Sequence, residues 1–397
     1  MTKPFKILIL DGNERASLAV IRCLGKHKLH TIAGAESKNN LASKSKYCKS
    51  SICYTSPYLN PVEFINNLVL ISQTHGISMI IPITDVTTSL ISKFKHKFKN
   101  VTIPIADNGQ IENLSNKYNL FKVAEKLNLP TPNTHYIDSI DQIPAVQESL
   151  SFPAVLKPFK SIIITNDNKI LSTSVKIANN LEQFHNIIKN NIEFTEHPFL
   201  IQEYIEGHGA AYFVLYHKNQ LIADFSHRRI KEKPPSGGVS VLCESMPIDP
   251  TMKKYSNKLL HDLGWNGVAM IEFRISKDGT PFLMEVNTRF WGSLQLAIDA
   301  GLEIPYILYK NTINKSHTTE KYTYKNGIRL RWLLGELDRL LIMLKSKDYP
   351  TTTVIKQLLQ FLNPTPTNTY YEINRISDIK PFLYELKNYI KTLFNRK

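Results

Sequence analysis

Residues 267–301 read GVAMIEFRISKDGTPFLMEVNTRFWGSLQLAIDAG. The segments GVAMIEFRI and PFLMEVNTRF are rich in the β-branched and aromatic residues that favour strands. Between them, the Asp278-Gly279 pair is typical of the tight primed turn of a hairpin. With these two residues at the centre of the turn, Lys277 pairs with Thr280. The stretch therefore predicts a β-hairpin with a fixed register.

Counting outward from that turn places two carboxylates opposite one another. Glu272 faces Glu285, and the two-residue period of a strand adds Asn287 and Arg289 to the same face. Carboxylates roughly 5 Å apart repel by about 3 kcal/mol at an effective dielectric constant of about 20, so we expect a positive group between them. Two carboxylates and an amide oxygen suit Mg²⁺. The alternative is a solvated strand pair whose acids face water or pair with Arg274 and Arg289.

The spacing of these residues resembles the metal-binding end of the ATP-grasp superfamily. In that superfamily a glutamate and a later Glu-x-Asn-x-Arg motif hold magnesium ATP, and here Glu285-Val-Asn-Thr-Arg follows Glu272 by thirteen residues. The resemblance implies that Glu272, Glu285 and Asn287 are ligands of Mg²⁺, or of Mn²⁺ in its place. It also implies that Arg289 contacts the transferring phosphoryl group. The resemblance covers roughly residues 5–312.

Upstream segments occur in the order that this resemblance requires. NKYNLFKVAEKLNLPTPNTHYI resembles the helix-and-proline entry of the domain and implies that Lys117 binds phosphate. FPAVLKP matches the strand whose lysine, here Lys157, lies over the α and β phosphates and takes part in catalysis. LIQEYIEG resembles the hinge that binds adenine, largely through backbone groups, and the implied residues are Gln202, Glu203, Tyr204 and Ile205.

The chain departs from the superfamily pattern at two places. PFKSIIITNDNK, directly after the Lys157 strand, contains no glycine where many relatives have a glycine-rich phosphate loop. Gly209 stands where relatives often carry an acid that holds the ribose hydroxyls. How the phosphates and the ribose are held is therefore open.

A later basic segment, HRRIKEKPPSGGVSVLCES, offers a substitute for the missing phosphate loop. Gly237 and Gly238 would let backbone N–H groups approach phosphates, and Arg228, Arg229 and Lys231 would add positive charge. The alternative is a mobile basic loop. With RFWGSLQLAIDAG, this segment resembles the carbamoyl-phosphate-synthase-like ATP-grasp ligases.

Composition bounds the class of protein. The chain has 397 residues, 42% of them hydrophobic, and a formal net charge of +15, which favours anionic partners. The basic residues are scattered, so a specific nucleic-acid interface is disfavoured. The cysteines lack zinc-site spacing, the first turn lacks the dinucleotide fingerprint, and no hydrolase triad is apparent. The short apolar run at the N-terminus and the lack of long apolar stretches predict a cytoplasmic protein.

The first hundred residues read as a parallel α/β unit. KILILDGNERASLAVIRCLGKHKLHTIAGAES predicts a strand, a helix and a second strand, and SMIIPITD predicts another buried strand. Asp11, Thr84 and Asp85 follow such strands, at the edge where open α/β sheets bind ligands. The superfamily resemblance implies that this domain helps to build the acceptor pocket, so these residues are candidates for it. The equally favoured alternative is that Asp11 and Asp85 cap the following helices.

We therefore predict an α/β and α+β protein with an ATP-grasp fold. Residues 1–115 form a Rossmann-like pre-ATP-grasp domain, 116–312 the ATP-grasp domain with a mobile lid at about 135–200, and 313–397 a mainly helical extension. In its last helix Leu383, Leu386, Ile390 and Leu393 form an apolar stripe that docks on the core, on a twin subunit or on an anionic membrane. The predicted function is an ATP-dependent carboxylate-amine or carboxylate-ammonia ligase acting on small molecules. The alternative is a nucleotide-binding regulatory protein without turnover.

Overall fold

The computed structural model describes residues 4–160, 162–164, 170–235, 237–313, 321–346, 348–363 and 366–395. Its first part is a parallel sheet of order β3-β2-β1-β4, in which β1 pairs with both β2 and β4. The strands are β1 Lys6–Ile9, β2 His30–Ala35, β3 Ser50–Cys53 and β4 Met79–Ile81. The helices are α1 Arg15–Lys26, α2 Pro61–His75, α3 Asp85–Lys93 and α4 Asn108–Ser115. The predicted strand-helix-strand unit is confirmed.

Local sequence signals set the ends of these helices. In α2 the Asn60 side chain accepts a hydrogen bond from the Glu63 N–H, and Pro61 occupies the first turn, where its missing N–H costs nothing. Gly76 ends the helix with a φ of +62°, a conformation that favours glycine. The central strands are apolar on both sides because helices cover both faces of the sheet.

A second four-stranded sheet lies in the predicted lid and has the order β5-β10-β6-β9. Its strands are β5 Thr134–Ile137, β6 Ala154–Pro158, β9 Lys176–Ala178 and β10 Phe199–Glu203, and a separate hairpin pairs β7 Ile162–Ile164 with β8 Ile170–Ser172. The helices are α5 Lys117–Lys126, α6 Ile143–Val146, α7 Leu181–Asn190 and α8 Ile192–Thr195. This sheet has its own small apolar core, which includes Leu156, Phe184 and Phe199.

The large sheet has the order β15-β14-β11-β12-β13-β16-β17. Its strands are β11 Gly207–His217, β12 Gln220–Lys233, β13 Val239–Ser245, β14 Gly267–Ser276, β15 Pro281–Asn287, β16 Arg329–Arg331 and β17 Thr369–Tyr371. The helices are α9 Pro250–Asp262, α10 Leu294–Asp299, α11 Ile304–Ile313, α12 Leu333–Lys345, α13 Thr351–Leu362 and α14 Lys380–Asn395. The C-terminal extension thus adds two strands to this sheet. The proposed domain boundaries stay a prediction.

The C-terminal extension docks on the N-terminal α/β unit. Arg22 of α1 donates from Nε to Asp378 at 2.8 Å and from its terminal nitrogens to the carbonyls of Glu372 and Ile373 at 2.9 Å each. Docking on the core, one of the predicted options, is therefore observed. The predicted stripe on α14 is not its buried side, because Leu383 and Ile390 are 55% and 44% exposed.

The contacts of α14 come from another of its faces. Phe382 and Tyr384 pack against the core, and Glu385 accepts a hydrogen bond from Trp332 Nε1 at 2.7 Å. Across the described ranges, no helix combines the length and apolar character needed to cross a membrane. The four cysteines are free thiols.

Candidate functional site

The turn of the β14–β15 hairpin differs from the prediction. The Ser276 N–H donates to the Thr280 carbonyl at 3.0 Å, so Lys277 does not pair with Thr280. The loop instead holds three residues, Lys277 to Gly279, and Gly279 adopts a φ of +87°. Three-residue hairpin loops with glycine in this left-handed region are a common alternative to two-residue turns. The predicted two-residue turn is wrong.

A bulge nevertheless restores the predicted pairing of the two acids. Phe273 pairs with Leu283, whereas Glu272 pairs with Glu285, so Met284 is an extra residue on β15. The longer loop shifts the register by one residue, and the bulge shifts it back. The Leu283 N–H donates to the Pro130 carbonyl at 2.9 Å, which fixes the strand beside the bulge. The prediction that Glu272 faces Glu285 is confirmed.

Each acid has a cationic partner from a different part of the chain. Arg229 lies 2.9 Å from Glu272 Oε2, and Lys117 Nζ lies 3.3 Å from Glu285 Oε2. The amide nitrogen of Asn287 lies between the two acids and donates to Oε1 of each at 3.2 Å. The positive charge expected at the hairpin is therefore supplied by Arg229 and Lys117.

The sequence alternative, in which Arg274 and Arg289 pair with the acids, is not what the structure shows. Arg274 donates from Nε to the Ile205 carbonyl at 2.9 Å and from a terminal nitrogen to the Tyr204 hydroxyl at 3.2 Å. Arg289 lies 2.9 Å from Asp85. Both arginines thus bind other parts of the protein and leave the acid pair to the cations from β12 and α5.

The pKa values of the two acids shift in opposite directions. Burial raises the pKa of Glu272, and Arg229 offsets this effect in part. Burial also raises the pKa of Glu285, but Lys117, the Asn287 hydrogen bond and Lys157 outweigh it and lower the pKa to about 2. Glu285 is therefore ionised at neutral pH, and Glu272 is the acid of the pair that takes up a proton more readily.

The donor set fits a magnesium ion. One point, the position of Asn287 Nδ2, lies within 3.2 Å of oxygens from both carboxylates. Turning the Asn287 amide would put its oxygen where its nitrogen now lies, next to both carboxylates. Within the described residues there is no group of three or more His, Cys, Asp or Glu that could hold a metal. A site with two carboxylates suits Mg²⁺, which takes one or two of them and completes its shell with water and phosphate oxygens.

Two lysines, one on α5 and one on β6, lie near the acids. Lys117 begins α5, where Asn116 caps the helix by accepting from the Tyr118 N–H at 3.0 Å. The Lys117 N–H donates to the Phe159 carbonyl at 2.7 Å, which ties this helix to the end of β6. Lys157 on β6 is 6% exposed. Burial, together with the charge of Lys117, lowers the pKa of Lys157 to about 8.

Arg289 connects the hairpin to the N-terminal sheet. It contacts Asp85, the first residue of α3, and donates to Asn287 Oδ1 at 3.2 Å and to the Phe290 carbonyl at 2.9 Å. Its Nε is buried, and in the described part of the chain it has no hydrogen-bond partner. Arg289 therefore lies beside the acid pair, with one donor group unsatisfied.

Of the three candidates at the edge of the N-terminal sheet, Asp85 reaches the site. Asp11 accepts from the N–H groups of Ile83 and Thr84 at 3.1 and 2.9 Å, so it binds the start of α3. Thr84 is the N-cap of α3 and accepts from the Thr87 N–H at 3.3 Å. The predicted capping by Asp11 and Asp85 is wrong: Glu14 is the N-cap of α1, Thr84 is the N-cap of α3, and Asp11 instead holds the backbone just before α3.

The side chains of the predicted adenine hinge bind protein groups. Gln202 is buried and donates to Thr134 at 2.8 Å, and Glu203 accepts from the N–H and the amide of Asn133 at 3.0 and 3.1 Å. Tyr204 and Ile205 hold the guanidinium of Arg274. Binding of adenine by this hinge stays a prediction.

The basic residues of β12 separate onto two faces. Arg229 reaches Glu272, whereas Arg228 binds Glu244 on the neighbouring strand, with Nε at 2.8 Å. Lys231 lies 2.6 Å from Glu336 of α12. Of the three basic residues expected to add charge at the phosphates, the structure brings Arg229 to the acids and uses Arg228 and Lys231 elsewhere.

The glycine pair of the basic segment lies near Arg229. Gly237 and Gly238 have φ values of +127° and +158°, and a Cβ at Gly238 would lie 2.4 Å from the Lys233 carbonyl oxygen. Arg229 donates to the Gly238 carbonyl at 3.4 Å. The glycines are thus close to the acid pair through Arg229, and contact with phosphates stays a prediction.

Sequence reasoning missed which cation neutralises which acid. It treated Arg229 as a phosphate ligand and not as the partner of Glu272. The period-two pattern of β12 separates Arg229 from Arg228, so the signal for one of them facing the acids was present. The Glu112–Lys160 pair, at 2.6 Å, was also missed, because its two residues come from separate segments.

Residues 195–336 match the family model described as ATP-grasp in the biosynthetic pathway with Ter operon. No curated protein matches the chain by sequence. One similar solved structure is the biotin carboxylase domain dimer of 2-oxoglutarate carboxylase from Hydrogenobacter thermophilus with MgADP, ADP and bicarbonate, at a TM-score of 0.65 and 15% identity over 82% of this chain and 74% of that one.

Two further solved structures are similar at comparable levels. The L-amino acid ligase from Bacillus licheniformis has a TM-score of 0.60 and 14% identity over 79% of this chain and 75% of that one. N5-carboxyaminoimidazole synthetase from Staphylococcus aureus has a TM-score of 0.59 and 13% identity, covering 78% of each chain. At such identities the likeness shows a shared fold.

Proposed function

We propose, on the premise that this chain is an ATP-grasp protein, that it is an ATP-dependent ligase which joins a small carboxylate to an amine or to ammonia. The observation that carries the proposal is the acid pair Glu272 and Glu285, bridged by Asn287. Lys117 and Arg229 contact these acids, and Lys157 lies buried on the facing lid strand. Such a set of acids and cations can hold a nucleoside triphosphate through charge neutralisation, and the reaction requires no protein nucleophile.

The roles follow from position and charge. Lys117 and Lys157 bind and orient the phosphates of ATP, and Arg289 stabilises the charge of the transferring phosphoryl group through its unsatisfied Nε. Mg²⁺ would be held by Glu272, Glu285 and Asn287 and would neutralise charge on the terminal phosphate oxygens.

The reaction has two balanced steps. A carboxylate oxygen of the substrate attacks the γ-phosphorus, the bond to the leaving ADP oxygen breaks, and an acyl phosphate forms. The nitrogen nucleophile then attacks the acyl carbon, phosphate leaves, and the nitrogen loses a proton as the amide bond forms. The protein contributes by positioning the reactants and excluding water.

Hydroxylamine trapping tests the acyl phosphate. The protein is incubated with ATP, MgCl₂, hydroxylamine and each member of a panel of small carboxylic acids, and hydroxamate and phosphate are measured. Equal amounts of hydroxamate and phosphate, in the presence of an accepted acid, support the proposal. ATP binding without phosphate release or hydroxamate for every acid and amine pairing would overturn it.

A second candidate is a regulatory protein that binds nucleotide without turnover. The observation in its favour is Gly209, which faces Arg274 across β11 and β14 where relatives often have a ribose-binding acid. A side chain at Gly209 would meet open space, so the fold does not require glycine there. Tight ATP binding together with a failed hydroxylamine experiment identifies this alternative.

A further inference from the structure

A cavity of about 450 Å³ opens beside the acid hairpin. Small-molecule sites commonly have volumes of about 300 to 1,000 Å³, so this cavity holds a molecule of amino-acid size or somewhat larger. On the hairpin side it is lined by Glu285, Val286, Asn287 and Thr288. The cavity therefore reaches the atoms that would hold the terminal phosphate under the proposed function.

Most of the apolar surface of the remaining walls comes from two helices and from a roof over the cavity. Helix α3 contributes Val86 and Leu90, and α4 contributes Ile111 and Leu114. The roof comes from the end of β6 and from the β7–β8 hairpin, with Phe159, Ile162, Ile163 and Ile170. The roof is thus built from the segment that has isoleucines where the superfamily resemblance leads one to expect glycines.

The acids around the cavity are already neutralised. Asp85 is paired with Arg289, and Glu112 lies 2.6 Å from Lys160. Glu285 has Lys117 at 3.3 Å. The acids thus do not make the lining anionic, and the cations Lys117 and Lys160 lie at the end of the cavity nearest the hairpin and the roof.

The cavity overlaps the predicted nucleotide site only in part. Lys117, Glu285 and Asn287 line it, whereas Lys157, Gln202 and Tyr204 do not belong to its lining among the described residues. A nucleotide bound at the adenine hinge would therefore meet the cavity at Glu285 and Asn287, where the transferred phosphoryl group would lie.

We propose that this cavity binds the apolar body of the carboxylic acid that the protein activates, a proposal that rests on the proposed function. The substrate class is a small carboxylic acid with an aliphatic or aromatic body, including hydrophobic amino acids. Its carboxylate points to Lys117 at the hairpin end of the cavity, and its apolar body packs under the isoleucine roof. The isoleucines Ile162, Ile163 and Ile170 then serve substrate recognition.

Ser89 provides a way to fill the cavity. It lies half-buried on α3 and lines the cavity. In Ser89→Phe a ring occupies the space proposed for the substrate body. In the matched control Asn113→Phe, the same ring lies on α4 at a half-buried position outside the lining. Both variants are compared with the unmodified chain for ATP binding and for phosphate release.

The acid panel contains leucine, phenylalanine and 3-phenylpropionate, with serine, glutamate and acetate as polar or small counterparts. We expect phosphate release to be at least about tenfold faster with the apolar acids, since a lost apolar contact in such a pocket commonly changes discrimination by this amount. In Ser89→Phe the rate of phosphate release with the apolar acids falls by a similar factor, while ATP binding is unchanged. Asn113→Phe behaves as the unmodified chain. Equal rates with polar and apolar acids, or an unchanged Ser89→Phe, overturn the inference and leave the proposed function standing.

A measurement without ATP separates the two possible failures. If the protein releases no phosphate from ATP with any of the acids, the proposed function fails. Ligand-observed NMR of 3-phenylpropionate then decides whether the cavity binds an apolar acid. Binding to the unmodified chain and to Asn113→Phe, but not to Ser89→Phe, supports the cavity as a site for apolar acids. Absence of binding to the unmodified chain overturns it.

Discussion

Two hairpins border the same cavity, and they are built in opposite ways. The β14–β15 hairpin has strands of ten and seven residues, lies in the large sheet beside β11, and carries charged side chains with cationic partners. The β7–β8 hairpin has three-residue strands that, within the described ranges, pair with each other outside the larger sheets, and it presents isoleucines. The difference indicates that the charges are held on a rigid sheet, whereas the shape of the pocket depends on a small apolar hairpin.

The largest effect is expected at the rigid hairpin, from Glu285→Gln. The amide keeps the size of the side chain but removes the charge that faces Lys117, so ATP turnover with Mg²⁺ falls on the order of a hundredfold. Phosphate release measures this loss. Glu206→Gln is the matched control, because that glutamate is exposed and pairs with Lys277 near the turn. Full activity of Glu285→Gln at ordinary Mg²⁺ concentration would contradict the assignment.

Lys157 predicts a pH dependence of nucleotide binding. Its pKa is lowered to about 8, so the affinity for ATP falls by about tenfold as the pH rises from about 7 to about 9. Titration calorimetry over this range measures the change. In Lys157→Arg the guanidinium stays charged, and a flat profile is expected. The same slope in both proteins would place the titrating group elsewhere.

Stability should respond to the same group with the opposite sign. Folding lowers the pKa of Lys157 from 10.5 to about 8, so between these values the unfolded chain binds more protons than the folded one. The contribution of Lys157 to the free energy of unfolding therefore rises with pH in this window. Chemical denaturation at several pH values checks the sign, and a decrease specific to Lys157 would contradict its burial.

A moderate effect is expected at the apolar roof, from Ile163→Ser. Loss of the half-buried side chain over the cavity should raise the KM for apolar acids about fivefold and leave ATP binding unchanged. Steady-state kinetics with 3-phenylpropionate and leucine measure it. Ile177→Ser on β9 is the control, because Ile177 is exposed outside the cavity. A matching loss in both variants would indicate a general effect on the lid.

The smallest effect is expected from Lys160→Ala, which removes the ion pair between the roof segment and α4. The side chains of Lys160 and Glu112 are 38% and 34% exposed, so the pair contributes at most about 1 kcal/mol. We expect a change of a few-fold in KM for the acid, weakened further by added salt. Lys122→Ala, which removes the exposed pair with Glu125, is the control. A loss as large as that of Glu285→Gln would mean that Lys160 binds the reacting groups.

The acid pair shows how much of the site could be predicted. The facing of Glu272 and Glu285 was predicted correctly, although the loop is one residue longer than expected and the bulge at Met284 adds one residue back. The bulge lies beside the hydrogen bond from Leu283 to Pro130, a contact between residues far apart in the chain. Local sequence patterns carry no information about such a contact, so the details of the turn could not be predicted.

The C-terminal helix shows a feature that the sequence pattern predicted wrongly. Its periodic leucines and isoleucine predicted a buried stripe, yet the aromatic side chains and Glu385 face the core. The spacing of apolar residues gives the faces of a helix, but two neighbouring faces of α14 both carry apolar residues. Which of them is buried depends on what α12 and the N-terminal unit present to it.

The sequence by itself determined the elements and their order. It placed the strands of the β14–β15 hairpin, the facing acids and the strands of the parallel N-terminal unit, because strand and helix periods are properties of neighbouring residues, and the superfamily resemblance singled out Lys117 and Lys157. The tertiary structure alone decided that Arg229 neutralises Glu272, that Lys117 neutralises Glu285, and that isoleucines roof a cavity beside them. Charge pairing and cavity shape depend on distances between segments remote in sequence, and these distances exist only once the sheets pack together.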